Sequence, residues 1–245
     1  MSSVHSKVLQ QFNSYGIHPH NPNNGIGMWP EEQELFLKLY SESCPPEDHC
    51  KLYLEIGTHN GGSVILAETY DCLMRNKLDM YACFDPEESP WWKINKYRAN
   101  STAQLFLDKS DNIHKRFNKD GNFIFDFAFI DGFHSYKQVL IDFEQVFPIM
   151  KKGGIVAFHD ASPRIQKEEK RKEILQFAKD NEQDLLNTNY EDFYVDEAYC
   201  QILEKYLVEH IDCEIECFHP RETRLNSWIR GKTSPHSALA AVRIL

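Results

Sequence analysis

The sequence predicts an α/β fold: a doubly wound, mostly parallel sheet that ends in an antiparallel pair of strands. Two observations carry this. From residue 51 to residue 160, short and almost continuously apolar runs alternate with stretches of helical period. Such runs suit parallel strands buried on both faces, and their alternation with helices implies right-handed crossovers. The last two apolar runs, DCEIECF (212–218) and ALAAVRIL (238–245), have only a polar loop between them, so they pair antiparallel at the sheet edge.

Residues 1 to about 28 are polar, with Asn, Gly and His concentrated in HPHNPNNGIG, and read as an irregular arm. A helix starts at Trp29-Pro30, where Pro suits the first helical position and Glu31 and Glu32 suit the dipole of the first turn. Leu35, Phe36, Leu39 and Tyr40 give it one apolar face. KLYLEIG is the first strand. The next helix runs from Gly62 to about Lys77 and sets Ile65, Leu66, Thr69, Leu73 and Met74 on one side. DMYACFD is the second strand, AQLFL (103–107) the third, FDFAFID the fourth and GGIVAFHD the fifth. Between the last two, a helix over 136–150 carries Val139, Leu140, Phe143, Val146, Phe147 and Met150, with a capping box from Ser135 and Gln138. Residues 161–196 are charged and weakly patterned and read as an insertion; a helix follows at about 197–209.

The 245 residues suit one α/β domain with an insertion, and 42% hydrophobic residues suffice for a full core. A net charge of -10, from 27 basic and 37 acidic residues, excludes a typical nucleic-acid binder. The basic cluster Lys167–Lys172 is interleaved with Glu168 and Glu169 and reads as a solvated helix face. The amino terminus lacks the apolar core of a signal peptide, and no apolar run is long enough to span a bilayer. Seven scattered cysteines show no framework spacing, and no second pair completes a zinc site with Cys213 and Cys217, so reduced thiols in a cytoplasm are expected. Association into a homo-oligomer stays open.

In doubly wound sheets, ligands sit outside the carboxyl ends of the strands near the switch point. Four strand ends carry chemistry. The first is Glu55-Ile56-Gly57-Thr58-His59-Asn60-Gly61-Gly62-Ser63, whose glycines permit a tight turn and close approach of a ligand to a helix amino terminus. It also reads as a turn that merely needs Gly. His59 stands where a pyrophosphate-binding GxGxxG turn has its middle Gly, which argues against a dinucleotide. The second is Phe84-Asp85-Pro86-Glu87, where Asp85 can accept ribose hydroxyls. Asp108 and Ser110, after the third strand, stand where an adenine would lie or simply form a turn. The third, Asp131-Gly132-Phe133-His134, brings a carboxylate out of a buried strand; Asp131 also reads as a turn residue and His134 as a structural histidine. The fourth is His159-Asp160. If the strand is already turning there, Asp131, His159 and Asp160 form an O,N,O set suited to Mg²⁺ or Mn²⁺, the alternative being that they orient a substrate hydroxyl without metal. Trp91 and Trp92 could line an acceptor site or pack their own helix.

YLEIGTHNGGS, CFDPE, FAFIDGFHSY and KKGGIVAFHD, in this order, resemble the class I S-adenosylmethionine-dependent methyltransferases. The closer likeness is to the metal-dependent branch related to cephalosporin hydroxylase-type and macrolide-sugar O-methyltransferases. It covers about 51–160, and the terminal strand pair also fits. The resemblance implies a Rossmann-like methyltransferase domain over 51–245, preceded by an arm and helix over 1–50, with S-adenosylmethionine as cofactor. Gly57 and Gly61 would approach its methionine part, Glu55 would support that turn, Thr58 and Ser63 would take part in binding the cofactor, and Asp85 would hold the ribose. Asp131, His159 and Asp160 would bind a divalent ion such as Mg²⁺, although relatives often carry an acid where this chain has His159. His134 would act as the base, and the acceptor would be a small molecule such as a sugar. The rival readings are a nicotinamide-dependent oxidoreductase, a binding module without turnover, and a hydrolase using the same metal.

Overall fold

The computed structural model describes residues 3–17, 25–28, 30–43, 50–75, 79–117, 124–133, 136–159, 213–214 and 239–244. Seven strands form one mixed sheet: β1 (Leu52–Ile56), β2 (Met80–Asp85), β3 (Gln104–Leu107), β4 (Phe125–Ile130), β5 (Met150–Phe158), β6 (Cys213–Glu214) and β7 (Ala240–Ile244), in the order β3-β2-β1-β4-β5-β7-β6. The first five are parallel. β7 runs antiparallel to both β5 and β6, so the last two strands pair as expected. The chain winds outward from β1 through β2 to β3 and then returns to β4 on the other side of β1, so the switch point lies between β1 and β4.

Strand side chains alternate between two cores, which explains the continuous apolar runs. Leu54, Ile56, Ala82, Phe84, Ala128, Ile130, Val156 and Phe158 face one layer, which includes α5 (Ile113–Phe117) and α6 (Tyr136–Val146). Tyr53, Tyr81, Cys83, Phe127, Phe129, Ile155 and Ala157 face the other, with α1 (Ser3–Ser14), α2 (Pro30–Glu42), α3 (Gly62–Met74) and α4 (Pro90–Ala99). α2 is anchored by Phe36, whose ring meets Phe127 and Phe129 edge-on at 5.5 and 5.2 Å. In the same layer Asp71 accepts hydrogen bonds from the Tyr40 and Tyr81 hydroxyls, tying α2, α3 and β2 together.

Several elements differ from the sequence expectation. The amino-terminal arm opens with α1, because Val8 and Phe12, one turn apart, are both fully buried, and the helix packs on α3. α3 stops at Met74, and Leu73 and Met74 are 46% and 43% exposed, so the apolar face expected there ends with Thr69. α6 ends at Val146; Phe147–Ile149 tighten into a 3₁₀ turn at Pro148, and Met150 opens β5. β5 is therefore longer than expected. Lys151–Gly154 are extra residues between the Phe125–Met150 and Phe127–Ile155 pairs, and Gly153, at φ +81°, supplies the left-handed backbone of that bulge. The insertion over 161–196 and the helix at about 197–209 lie outside the described residues. Among the described residues, no helix is long and apolar enough to cross a membrane.

Candidate active site

The sheet's hydrogen bonding continues past the strand ends and brings three segments to one level. The Gly57 amide donates to Phe84 O at 2.8 Å, the Asp131 amide to Ile56 O at 2.9 Å, and the His159 amide to Ile130 O at 3.0 Å. Gly57 lies at φ +82°, and a Cβ there would stand 2.1 Å from the Asp131 carbonyl oxygen. Only glycine lets the turn after β1 pass this close to the end of β4. Gly61, at φ +78°, is required for another reason: its vacant side faces the Trp92 ring, which a Cβ would meet at 2.6 Å. Trp92 is thus buried in the core, and neither it nor Trp91 lines the cavity described next.

A cavity of about 540 Å³ opens at this end of the sheet. Gly57, Asp85, Asp108, Ser110 and Asp131 all line it, so five expected site residues from four strand ends share one space. Asp85 stitches two of those ends together, accepting from the His59 amide at 2.9 Å and the Glu87 amide at 3.0 Å. The first of these bonds holds His59 at φ +44°, a left-handed conformation uncommon for a residue with a side chain. Asp108 accepts from the Lys109 amide at 2.8 Å and from Asn112 at 3.2 Å. Ser110 Oγ accepts from Gln138 Nε2 at 3.0 Å, and the same Gln138 nitrogen donates to Asp142 at 2.8 Å.

Gln138, Asp142, Lys109, Asp111 and Phe133 also line it, although the sequence does not single them out for it. The available signal was the i, i+4 spacing of Gln138 and Asp142, which sets both on one face of α6. Among the described residues the cavity's charge is one-sided: Asp85, Asp108, Asp111, Asp131 and Asp142 line it against a single lysine, Lys109.

Glu55, Thr58 and Ser63 lie beneath the turn and do not line the cavity. Glu55 is fully buried on the opposite face of β1 from Ile56 and accepts from Tyr53 Oη and Ser63 Oγ, each at 2.5 Å. Burial raises its pKa to about 8; the two hydrogen bonds oppose that shift, and the charges of Asp131 and Asp85 add to it. Glu55 thus fixes the amino terminus of α3 through Ser63.

Of the expected metal and base set, His134 and Asp160 lie outside the described residues. Asp131 Oδ1 and His159 Nδ1 are 2.9 Å apart. That is a hydrogen-bond distance, and it also matches the edge of about 3 Å between adjacent donors of an octahedron with bonds of about 2.1 Å. The two side chains therefore fit two neighbouring positions around a Mg²⁺-like ion. Among the described residues, no three metal-ligating side chains cluster.

Residues 54–161 match a family described as a methyltransferase domain. The chain is similar to that family over this stretch. Its fold is that of several solved methyltransferases of low identity. An O-methyltransferase from Bacillus cereus, in complex with SAH, matches with TM-score 0.56 and 16% identity over 99% of this chain and 91% of that one. The O-methyltransferase TomG from Streptomyces achromogenes, involved in tomaymycin synthesis and bound to SAM, matches with TM-score 0.56 and 13% identity over 100% and 90%. A TDP-rhamnose 3'-O-methyltransferase of calicheamicin biosynthesis matches with TM-score 0.52 and 13% identity over 99% and 95%. No curated protein matches the sequence significantly. The matched stretch runs from β1 to just past β5, which is the part of the chain that builds the cavity.

Proposed function

We propose that this protein is a methyltransferase that binds S-adenosylmethionine in the cavity and methylates a hydroxyl oxygen of a small molecule, a sugar hydroxyl being the first candidate. The observation that carries the reading is the charge of the lining: five aspartates against one lysine among the described residues. Such a lining attracts a cofactor with a sulfonium and an ammonium group and repels the pyrophosphate of a nicotinamide dinucleotide. The likeness to an enzyme named as a TDP-rhamnose 3'-O-methyltransferase supports a sugar acceptor. Seven scattered cysteines without a framework spacing support a reducing, cytoplasmic setting.

On this reading, Asp85 accepts the ribose hydroxyls, Ser110 and Asp108 border the adenine, and the turn at Gly57 bears the methionine part. Asp131, His159 and Asp160 would hold a divalent ion, which when bound supplies positive charge that lowers the acceptor's pKa. His134 takes the acceptor's proton, an effect worth about 10²–10⁴-fold. The oxygen lone pair then forms the new bond to the methyl carbon while the carbon–sulfur bond breaks, leaving neutral S-adenosylhomocysteine. Alignment of oxygen, carbon and sulfur supplies a further part of the acceleration, up to roughly 7–11 kcal/mol in favourable cases.

The test is transfer of isotope-labelled methyl from S-adenosylmethionine to a panel of nucleotide sugars, free sugars and phenols. A labelled sugar is the expected product. His134→Ala should keep S-adenosylhomocysteine binding and lose turnover at least about 10²-fold. Chelation should abolish turnover, and Mg²⁺ or Mn²⁺ should restore it. Full turnover by the variant rejects the base, and full turnover after thorough chelation rejects the metal.

A further inference from the structure

Three side chains stand in a row at the end of β5, and the third comes from the amino-terminal helix α2. Asp131 Oδ1 lies 2.9 Å from Nδ1 of His159. The other ring nitrogen, Nε2, faces Glu32, whose Oε2 is 3.9 Å away. Glu32 and His159 are 3% and 6% exposed, so water screens neither well. Their placement is built in. Phe36, one turn after Glu32, packs on Phe129, and the His159 ring meets the same Phe129 ring at 6.1 Å. The start of α2 is fixed by Gln33, whose side chain donates to Met28 O at 3.0 Å.

A neutral imidazole carries one N–H and one bare lone pair. Two carboxylates on opposite sides of a buried ring compete for that hydrogen. At 2.9 Å, Nδ1 and Oδ1 cannot meet lone pair to lone pair, so a hydrogen or a cation lies between them. At 3.9 Å, the Glu32 contact exceeds hydrogen-bond length. In a buried setting, its charge still sets the potential at Nε2.

We propose that Glu32 is a positioning residue that holds a hydrogen on Nε2 of His159, so that Nδ1 and Asp131 share a proton or a divalent ion at the active site. A metal-bound histidine commonly donates its other N–H to a carboxylate, which fixes the ring's tautomer and orientation. The catalytic consequence rests on the proposed function. The location of the hydrogen does not.

The experiment is two-bond ¹H–¹⁵N correlation spectroscopy of the full chain labelled at histidine, with the His159 signals identified by their loss in His159→Gln. The expected result is a protonated Nε2 in the wild type. In Glu32→Leu the hydrogen on Nε2 should be lost, leaving the one shared between Nδ1 and Asp131. Glu32→Gln keeps the shape without the charge and should shift the signals in the same direction. A bare Nε2 in the wild type overturns the proposal, as do His159 signals that both variants leave unchanged. Mn²⁺ titration followed by electron paramagnetic resonance gives a second reading, with the Kd expected to rise about 10–100-fold in Glu32→Leu. A wild type that binds no Mn²⁺ rejects the metal in the proposed function, and the nitrogen signals still decide the role of Glu32. Titration with S-adenosylhomocysteine tests the cofactor separately, since Glu32 does not line the cavity.

Discussion

Replacing Glu55 by Gln should stabilise the protein increasingly as pH rises from 5 to 8. Glu55 is fully buried, and its pKa is raised from 4.5 to about 8, first by burial. Between those values the unfolded chain releases the proton and the folded protein keeps it. The folded state then binds more protons, so wild-type stability falls as pH rises through this window and levels off above about 8. Each pH unit inside the window costs about 1.4 kcal/mol, so the two units from pH 5 to pH 7 cost about 2.7 kcal/mol. Gln is nearly isosteric with the protonated acid and can still pair with the Tyr53 and Ser63 hydroxyls, so the variant should lack this slope. The assay is urea unfolding of both proteins at pH 5, 6, 7 and 8, with the difference in stability plotted against pH. A widening gap of about 2–3 kcal/mol by pH 7 is expected. Parallel stability curves would refute the claim that Glu55 is held protonated beneath the turn.

Two further substitutions test the turn and the ribose acid. Gly57→Ala forces a side chain into left-handed backbone and against the Asp131 carbonyl at 2.1 Å. It should cost more than about 2 kcal/mol, and thermal melting should show a drop of at least about 4–8 °C. An unchanged melting temperature would mean that β1 and β4 do not approach this closely. Asp85→Ala removes a charged hydrogen-bond acceptor from the cavity and should weaken S-adenosylhomocysteine binding by about 1.5–3 kcal/mol, roughly 10- to 150-fold by isothermal titration. Unchanged affinity would remove Asp85 from the ribose site.

β1, β2, β4 and β5 were legible because both faces of each are covered, which leaves runs such as FDFAFI with no polar alternation to obscure them; β3, at the sheet edge with Gln104 and Leu107 exposed, gives a weaker signal. Gly57, Asp85 and Asp131 followed from their places just after those runs, where a doubly wound sheet sets its ligand site. Local signals were less safe. α1 was hidden because its buried positions, Val8 and Phe12, are isolated among polar residues, so the segment looked irregular. Leu73 and Met74 continue the apolar spacing of α3 but extend past the layer that could cover them. Gln138 looked like a capping residue, yet its side chain also bonds Ser110 and Asp142. Glu32 was read only as a first-turn acid suited to the helix dipole. Its approach to His159 joins positions 127 residues apart, which no local pattern reports.

The most direct test of the cofactor site is a crystal structure of the protein with S-adenosylhomocysteine. The adenosyl group should lie in the cavity, with the ribose hydroxyls on Asp85, the base beside Ser110, and the sulfur near the turn between Gly57 and Asp131. A nucleoside bound elsewhere, or a cavity left without ligand at saturating concentration, would contradict the account.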